Sequence, residues 1–264
     1  MPSDVIPKGY MDGYLLKVYI KARGIITKDW DAIFLVDGTE GGGKSVLAQQ
    51  GAAALDPTFS IEQIAFTPEE FKNAIINAKK YQAVIYDEAY TGLSSRGTMS
   101  DINKTLVSML AEIRQKNLFV FIVMPTFFDL DRYAAIWRSR GLLHVYTDKG
   151  YGRGYFSYYN KDRKKNLYIL GKKFYDYRKP RPNFRGRFTN YYVVDEEEYR
   201  QKKLKALTEH KSKAQVKEEE RIPYLLKALT KDKSAREVAK ELTSLGMPIT
   251  GRRTSQIIKD FPTK

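Results

Sequence analysis

The chain predicts an α/β fold, a mostly parallel sheet with helices on both faces, followed by a small basic all-α segment. Three observations lead there. Short, almost wholly apolar runs at Ala32–Val36, Ala83–Tyr86, Leu118–Val123 and Leu142–Tyr146 alternate with stretches whose apolar residues recur at helical spacing. Strands apolar on both sides belong inside a sheet covered twice, and such sheets are parallel. At 264 residues with 42% hydrophobic side chains and no cysteine, the chain has core enough for one medium domain plus an appendage, without disulfides. Finally, the grammar changes after Gly150, where tyrosine and basic residues replace the apolar runs.

Taken in order, residues 10–29 mix aromatics with Lys and Arg and form a lead-in helix or strand. Strand Ala32–Val36 runs through a glycine-rich loop into a helix from Lys44 to about Leu55. Ile61–Phe66 reads as a short strand. Thr67-Pro68-Glu69-Glu70 caps a helix to about Lys80, with proline in the first turn where its missing N–H costs nothing. Strand Ala83–Tyr86 ends in Asp87-Glu88, and a polar loop from Thr91 to Thr98 follows. Ile102, Leu106, Met109, Leu110 and Ile113 then mark a helix. Strand 118–123, a helical segment at about Asp129–Trp137 and strand Leu142–Tyr146 complete the alternation. Tyr155–Tyr159 and Leu167–Leu170 read as a tyrosine-rich hairpin around the basic turn Lys161–Lys165. Residues 178–190 read as a basic loop, and Glu196 to about Glu220 as a charged helical linker. The expected domains are therefore 1–177, a linker at 178–221, and 222–264. No internal repeat is visible.

Gly38-Thr39-Glu40-Gly41-Gly42-Gly43-Lys44-Ser45 fits the phosphate-binding pattern G-x-x-x-x-G-K-[ST], placed between a buried strand and a helix as the chemistry requires. Glycines let consecutive backbone N–H groups converge on the β- and γ-phosphates. Lys44 neutralises their oxygens and the Ser45 hydroxyl ligates Mg²⁺. The helix beginning at Lys44 points its positive dipole end at the same anion. ATP and Mg²⁺ are the expected cofactors. Asp87-Glu88 after four apolar residues is a Walker B pattern, Asp87 holding Mg²⁺ through water and Glu88 polarising the attacking water. Thr126, just beyond strand 118–123, is the candidate γ-phosphate sensor. Arg114 is the leading candidate for a positive side chain reaching the γ-phosphate, often of a neighbouring subunit, with Arg96, Arg138 and Arg140 as alternatives. His144 and His210 lie far apart, which argues against a histidine-rich metal centre.

These residues together resemble the additional-strand, catalytic-glutamate ATPases with a RecA-like core, and within them the FtsK/HerA-like DNA-pumping group. The pieces are GTEGGGKS, VIYDEA at 84–89, and the Ala-Glu-Ile-Arg-Gln-Lys-Asn helix end running into a strand. The later Phe-Phe-Asp-Leu-Asp-Arg-Tyr and Trp-Arg-Ser-Arg-Gly-Leu-Leu-His-Val-Tyr stretches resemble packaging or zonular-occludens-toxin-type ATPases of viruses and mobile elements. The likeness spans roughly residues 30–175. It implies a homo-oligomeric ring, hexamer or pentamer, and duplex DNA as the substrate of movement. One departure is that Met124-Pro125-Thr126 stands where the FtsK/HerA pattern has Thr-Gln.

Charge and tail add to this. Residues 1–150 carry 17 Lys and Arg against 17 Asp and Glu, whereas residues 151–264 carry 29 against 14, so the whole +15 excess lies in the second part. That asymmetry points to a polyanion. Ser234–Gly246 reads as a helix with a glycine stop, Met247-Pro248-Ile249 as a turn, and Thr250–Lys259 as a second helix. Such a helix-turn-helix would present Arg252, Arg253, Ser255 and Gln256 to duplex DNA. No apolar run is long enough to span a bilayer and the N-terminus lacks a signal-peptide pattern, so a soluble, cytoplasmic protein is expected. The expected activity is ATP-driven DNA translocation or packaging, with an ATP-dependent DNA-binding or partition-type switch as the other reading. A terminase ATPase that has lost its nuclease is a third.

Overall fold

The computed structural model describes residues 5, 7–87, 103, 106–109, 112–206, 208, 234–244, 252 and 255. Residues Met1–Ala206 form one compact unit and Leu207–Lys264 a second.

In the first unit, α1 (Gly13–Ile26) starts where the Asp12 carboxylate accepts from the N–H groups of Tyr14 and Leu15. It packs through Leu15, Tyr19, Ala22 and Ile26, an i, i+4, i+7, i+11 stripe. Strand β1 (Ala32–Gly38) then leads to α2 (Lys44–Leu55), whose residues from Val46 to Leu55 are all buried. The expected strand at 61–66 is half turn: a 3-10 turn Ile61–Gln63 precedes the two-residue β2, Ile64–Ala65. The Gln63 amide causes this, donating to Asp56 at 2.7 Å and to the Ala83 carbonyl at 2.8 Å.

Helix α3 (Pro68–Asn77) has Thr67 as its cap and Pro68 in its first turn, as expected. It stops short of Lys80 because the Lys116 ammonium collects the carbonyls of Ile75, Ile76 and Ala78. Strands β3 (Ala83–Asp87), β4 (Phe119–Val123) and β5 (Gly141–Tyr146) match the apolar runs. Before β4, residues 103, 106–109 and 112–115 are helical, and Leu106, Met109 and Ile113 are buried. Ile102 and Leu110 lie outside the described residues. The expected helix at 129–137 is a 3-10 turn, Phe127–Asp129, and a π-helical turn, Tyr133–Arg138.

Two expectations are corrected beyond Gly150. Strand β6 (Tyr155–Asn160) does not turn back at Lys161: Lys161–Gly171 is a helix capped by the Asn160 side chain. Its buried residues, Lys164, Leu167, Tyr168 and Gly171, follow the i, i+3, i+4, i+7 rhythm of a helix face. The expected basic loop contains β7, Phe184–Arg187. A helix over 196–206 follows, its first turn capped by Asp195 accepting from Glu198 N at 2.8 Å. The first unit thus runs past the expected boundary at 177, because β7 belongs to the sheet.

Among the described residues one seven-stranded sheet forms, in the order β2-β3-β4-β1-β5-β6-β7. From β2 to β5 every pairing is parallel, while β6 and β7 add antiparallel at one edge. Alternate residues serve opposite faces: Ala32, Phe34 and Val36 pack with α1 and α2, whereas Ile33 and Leu35 pack with α3 and the Lys161–Gly171 helix. Strand β4 lies between β1 and β3, so the tips of β1, β4 and β3 share one edge.

In the second unit, helix Ala235–Ser244 lies within the predicted one, with Ser234 and Glu237 bonded reciprocally at its start. Arg252 and Ser255 are helical and exposed. Arg253, Gln256 and the predicted turn lie outside the described residues. No helix among the described residues is long and apolar enough to cross a membrane.

Candidate functional site

At the carboxyl edge of the sheet the chain leaves β1 through the loop 38–43. Gly38 has φ +124°, and a Cβ there would stand 1.9 Å from the Val145 carbonyl oxygen. Only glycine allows this approach of the loop to β5, which Thr39 N seals by donating to that same carbonyl at 3.1 Å. Gly43 sits left-handed at the start of α2, φ +98°, and a Cβ there would meet the Phe188 ring at 3.0 Å. The loop spans Gly38, Thr39, Glu40, Gly41, Gly42 and Gly43 and delivers Lys44 and Ser45 on the first turn of α2, as predicted.

Lys44 curls back over the loop, donating to the carbonyls of Gly38 at 2.8 Å and Thr39 at 3.1 Å. Burial lowers its pKa. The carboxylates of Asp37, Glu40 and Asp87 oppose that shift, and the neighbouring Lys203 adds to it. Asp87 ends β3, paired with Val123 on β4 and buried. Its Oδ2 accepts from the Tyr199 hydroxyl, and the Ser45 side chain lies close enough to that phenol to lower its pKa slightly. The two residues assigned to Mg²⁺ by sequence thus meet at one phenol. Burial first and the Asp87 charge second hold that phenol well above its usual pKa, so it stays protonated and donates. Lys203 Nζ stands 3.6 Å from the other carboxylate oxygen of Asp87.

A hydroxyl and one carboxylate are donors suited to Mg²⁺, which keeps most of its shell for phosphate and water. The residues present therefore fit that ion. Among the described residues no cluster of three or more acidic or histidine side chains offers another metal site. Glu88 lies outside the described residues, as does Arg96.

A second buried carboxylate, Asp37, lies one residue before the loop. It accepts from Phe127 N at 2.9 Å and the Tyr177 hydroxyl at 2.5 Å, and its other oxygen meets His144 Nδ1 at 2.9 Å. His144 and Tyr177 stack with centroids 3.7 Å apart. Thr126 does sit at the tip of β4, but its side chain is engaged. Its Oγ1 lies 3.0 Å from the Tyr177 hydroxyl and accepts from Phe128 N at 3.3 Å, capping the turn 127–129.

Arg114 is elsewhere. Its guanidinium lies over Trp30, which precedes β1, and so belongs to the amino edge of the sheet. The six strand residues Ala32–Asp37 at about 3.3 Å each put that edge on the order of 20 Å from its own chain's phosphate loop. Arg138 and Arg140 are there too, on Asp31 and Trp30. The sequence reading missed Tyr199, Lys203, Asp37, His144 and Tyr177. Nothing local to residues 196–206 marks Tyr199 and Lys203, because their relation to Asp87 arises only when the segment folds back onto the carboxyl edge of the sheet. Gln50 helps to fix that path, donating to the carbonyls of Thr189 and Tyr191.

The charge is also redistributed. Residues 151–206 carry 16 Lys and Arg against 6 Asp and Glu, and residues 207–264 carry 13 against 8. Most of the positive excess therefore belongs to the unit that holds the sheet.

The fold and site together define a mixed α/β protein with a mostly parallel sheet and, at the β1–α2 junction, a glycine-rich loop that fits the phosphate-binding sequence pattern. No protein-family profile and no curated protein matches the chain. Among solved structures it is similar to the N-terminal domain of zonular occludens toxin from Neisseria meningitidis, at 16% identity and a TM-score of 0.33. The match covers 50% of this chain and 84% of that domain.

Proposed function

We propose that this chain is an ATPase that couples hydrolysis to the translocation or packaging of double-stranded DNA, working as a homo-oligomeric ring. The observation that carries the ATPase part is the junction of Lys44, Ser45 and Asp87 at one edge of the sheet, with Tyr199 beside the last two. In this reading the loop amides and Lys44 hold the β- and γ-phosphates, and Ser45 and Asp87 hold Mg²⁺. Held by Ser45 and Asp87, the ion would supply positive charge to offset that of the transferring phosphoryl group. Glu88 positions the water. Support for the DNA part is the basic excess on residues 151–264 together with the exposed, helical Arg252 and Ser255. Arg253 and Gln256 complete that surface in the sequence reading. Arg114, on the opposite edge from its own phosphate loop, would act on a neighbour's nucleotide.

Phosphate release measured with and without duplex DNA tests the reading. Hydrolysis rises severalfold with DNA, and the protein strips the third strand from an anchored triplex in the presence of ATP. ATP-dependent retention on DNA with neither stimulation nor strand displacement would instead identify a switch and overturn the motor.

A further inference from the structure

Of the side chains outside the phosphate loop, Lys203 brings a second ammonium to the site. Its Nζ is 3.6 Å from Asp87 Oδ1 and 3.3 Å from the Tyr199 hydroxyl. It is also close enough to Lys44 that its charge helps to lower the Lys44 pKa. Lys44 and Lys203 repel each other, a repulsion that Asp37, Glu40 and Asp87 offset and that an anion held between the two ammonium groups would relieve further.

The helix that carries Lys203 is fixed at several points. Lys202 donates to the carbonyls of Ile61 at 3.0 Å and Ile64 at 2.7 Å. Tyr199 packs on Phe66 and Tyr192, with centroids 5.5 and 5.7 Å away. The Lys203 ammonium lies over the Phe66 and Tyr199 rings, 5.9 and 5.7 Å from their centroids, and its side chain is one-third exposed. A flexible four-carbon stem on an anchored helix lets the ammonium turn from Asp87 to a phosphate oxygen by rotamer changes alone.

We propose that Lys203 is a catalytic cation of this site, supplied by the same chain. Its ammonium contacts the terminal phosphate of a bound nucleoside triphosphate and offsets the charge on the transferring phosphoryl group. In that step the bond from the γ-phosphorus to the bridging oxygen breaks as the bond to the water oxygen forms. The nucleoside diphosphate and inorganic phosphate leave, the proton lost by the attacking water goes to the released phosphate, and Lys203 keeps its own proton throughout. The inference rests on the ATPase reading, and it contrasts with Arg114, Arg138 and Arg140, which are engaged at the other edge of the sheet.

The test uses the full chain with Lys203→Met and Lys203→Arg, each checked for wild-type circular dichroism. Calorimetry in EDTA compares ATP with ADP: Lys203→Met loses about tenfold of any preference for ATP while ADP affinity stays within about twofold. With Mg²⁺, kcat falls about 10²-fold or more in Lys203→Met and recovers in part in Lys203→Arg. Mixing Lys203→Met with Lys44→Ala subunits restores nothing, because the cation serves its own chain. Three results overturn the proposal: an unchanged ATP preference with an unchanged rate, rescue on mixing, or the same losses arising instead from Arg153→Met. Arg153 reaches 3.9 Å from where a Cβ on Gly41 would stand, which makes it the competing cation. If the wild-type chain itself does not hydrolyse ATP, it is the ATPase reading that fails, and the ATP–ADP comparison still judges Lys203.

Discussion

The two edges of the sheet hold buried acids in opposite ways. At the amino edge, Asp31 is paired with the Arg138 guanidinium, and Arg114 and Arg140 lie over Trp30. At the carboxyl edge, Asp37 and Asp87 are held chiefly by phenols, Tyr177 and Tyr199, reaching back from the later part of the chain. A guanidinium cancels a carboxylate, whereas a hydroxyl donor orients it and leaves its charge in place. The Asp31–Arg138 pair is therefore closed on itself, while at the other edge the phenols orient Asp37 and Asp87 beside the loop and the nearest ammonium, that of Lys203, stands 3.6 Å from Asp87, where a metal ion or a phosphate could exchange with it.

Substitutions on the two edges should separate function from stability. The largest expected effect is Lys44→Ala, which lowers kcat/KM for ATP by about 10³-fold or more with the fold retained, measured by phosphate release and circular dichroism. Next, Asp31→Asn leaves Arg138 without its carboxylate and costs about 3 kcal/mol in urea unfolding, with kcat within about twofold of wild type. A large loss of kcat there would break the comparison. Tyr199→Phe removes the donor to Asp87, costing about 1–3 kcal/mol of stability. It also raises the Mg²⁺ concentration needed for half-maximal hydrolysis, a shift that Asp31→Asn does not produce.

A last effect, seen only in how stability changes with pH, concerns Lys164, buried against the carbonyls of Ala135 and Ile136 and the Ser139 hydroxyl. Burial, and then the Lys161 charge, bring its pKa down from 10.5 to about 7. Below pH 7 folded and unfolded chains both carry the charge, and the full burial cost is felt. Between 7 and 10.5 the unfolded chain holds a proton that the folded one has released, so stability rises with pH by at most about 1.4 kcal/mol per unit. Lys164→Met flattens that rise in urea titrations at pH 7 to 9.5.

The strands β1, β3, β4 and β5 and helix α2 are legible in the sequence because each is a continuous apolar or glycine-punctuated run whose meaning is local. The same holds for the placement, though not the role, of Lys44 and Ser45 at the start of α2 and Asp87 at the end of β3. The helix Lys161–Gly171 misleads because Leu167-Tyr168-Ile169-Leu170 has the residue types of a strand, while the decisive signal is the Asn160 cap and a stripe beginning at a buried lysine. Strand β7 is hidden by its short, arginine-rich sequence, since pairing with β6 makes it a strand. Tyr177, Tyr199 and Lys203 are invisible for another reason: each meets its carboxylate across more than a hundred residues of chain.

The closeness of Gly38 to Val145 bears on how a ligand would be received. A loop whose first residue lies against the main chain of the next strand cannot swing open there without parting the sheet. Its ordering entropy is spent during folding, so binding a triphosphate should cost little in loop immobilisation. Any side chain at position 38 would act as a wedge between two strands, and its damage should appear first in the melting of β5 and only then in nucleotide affinity.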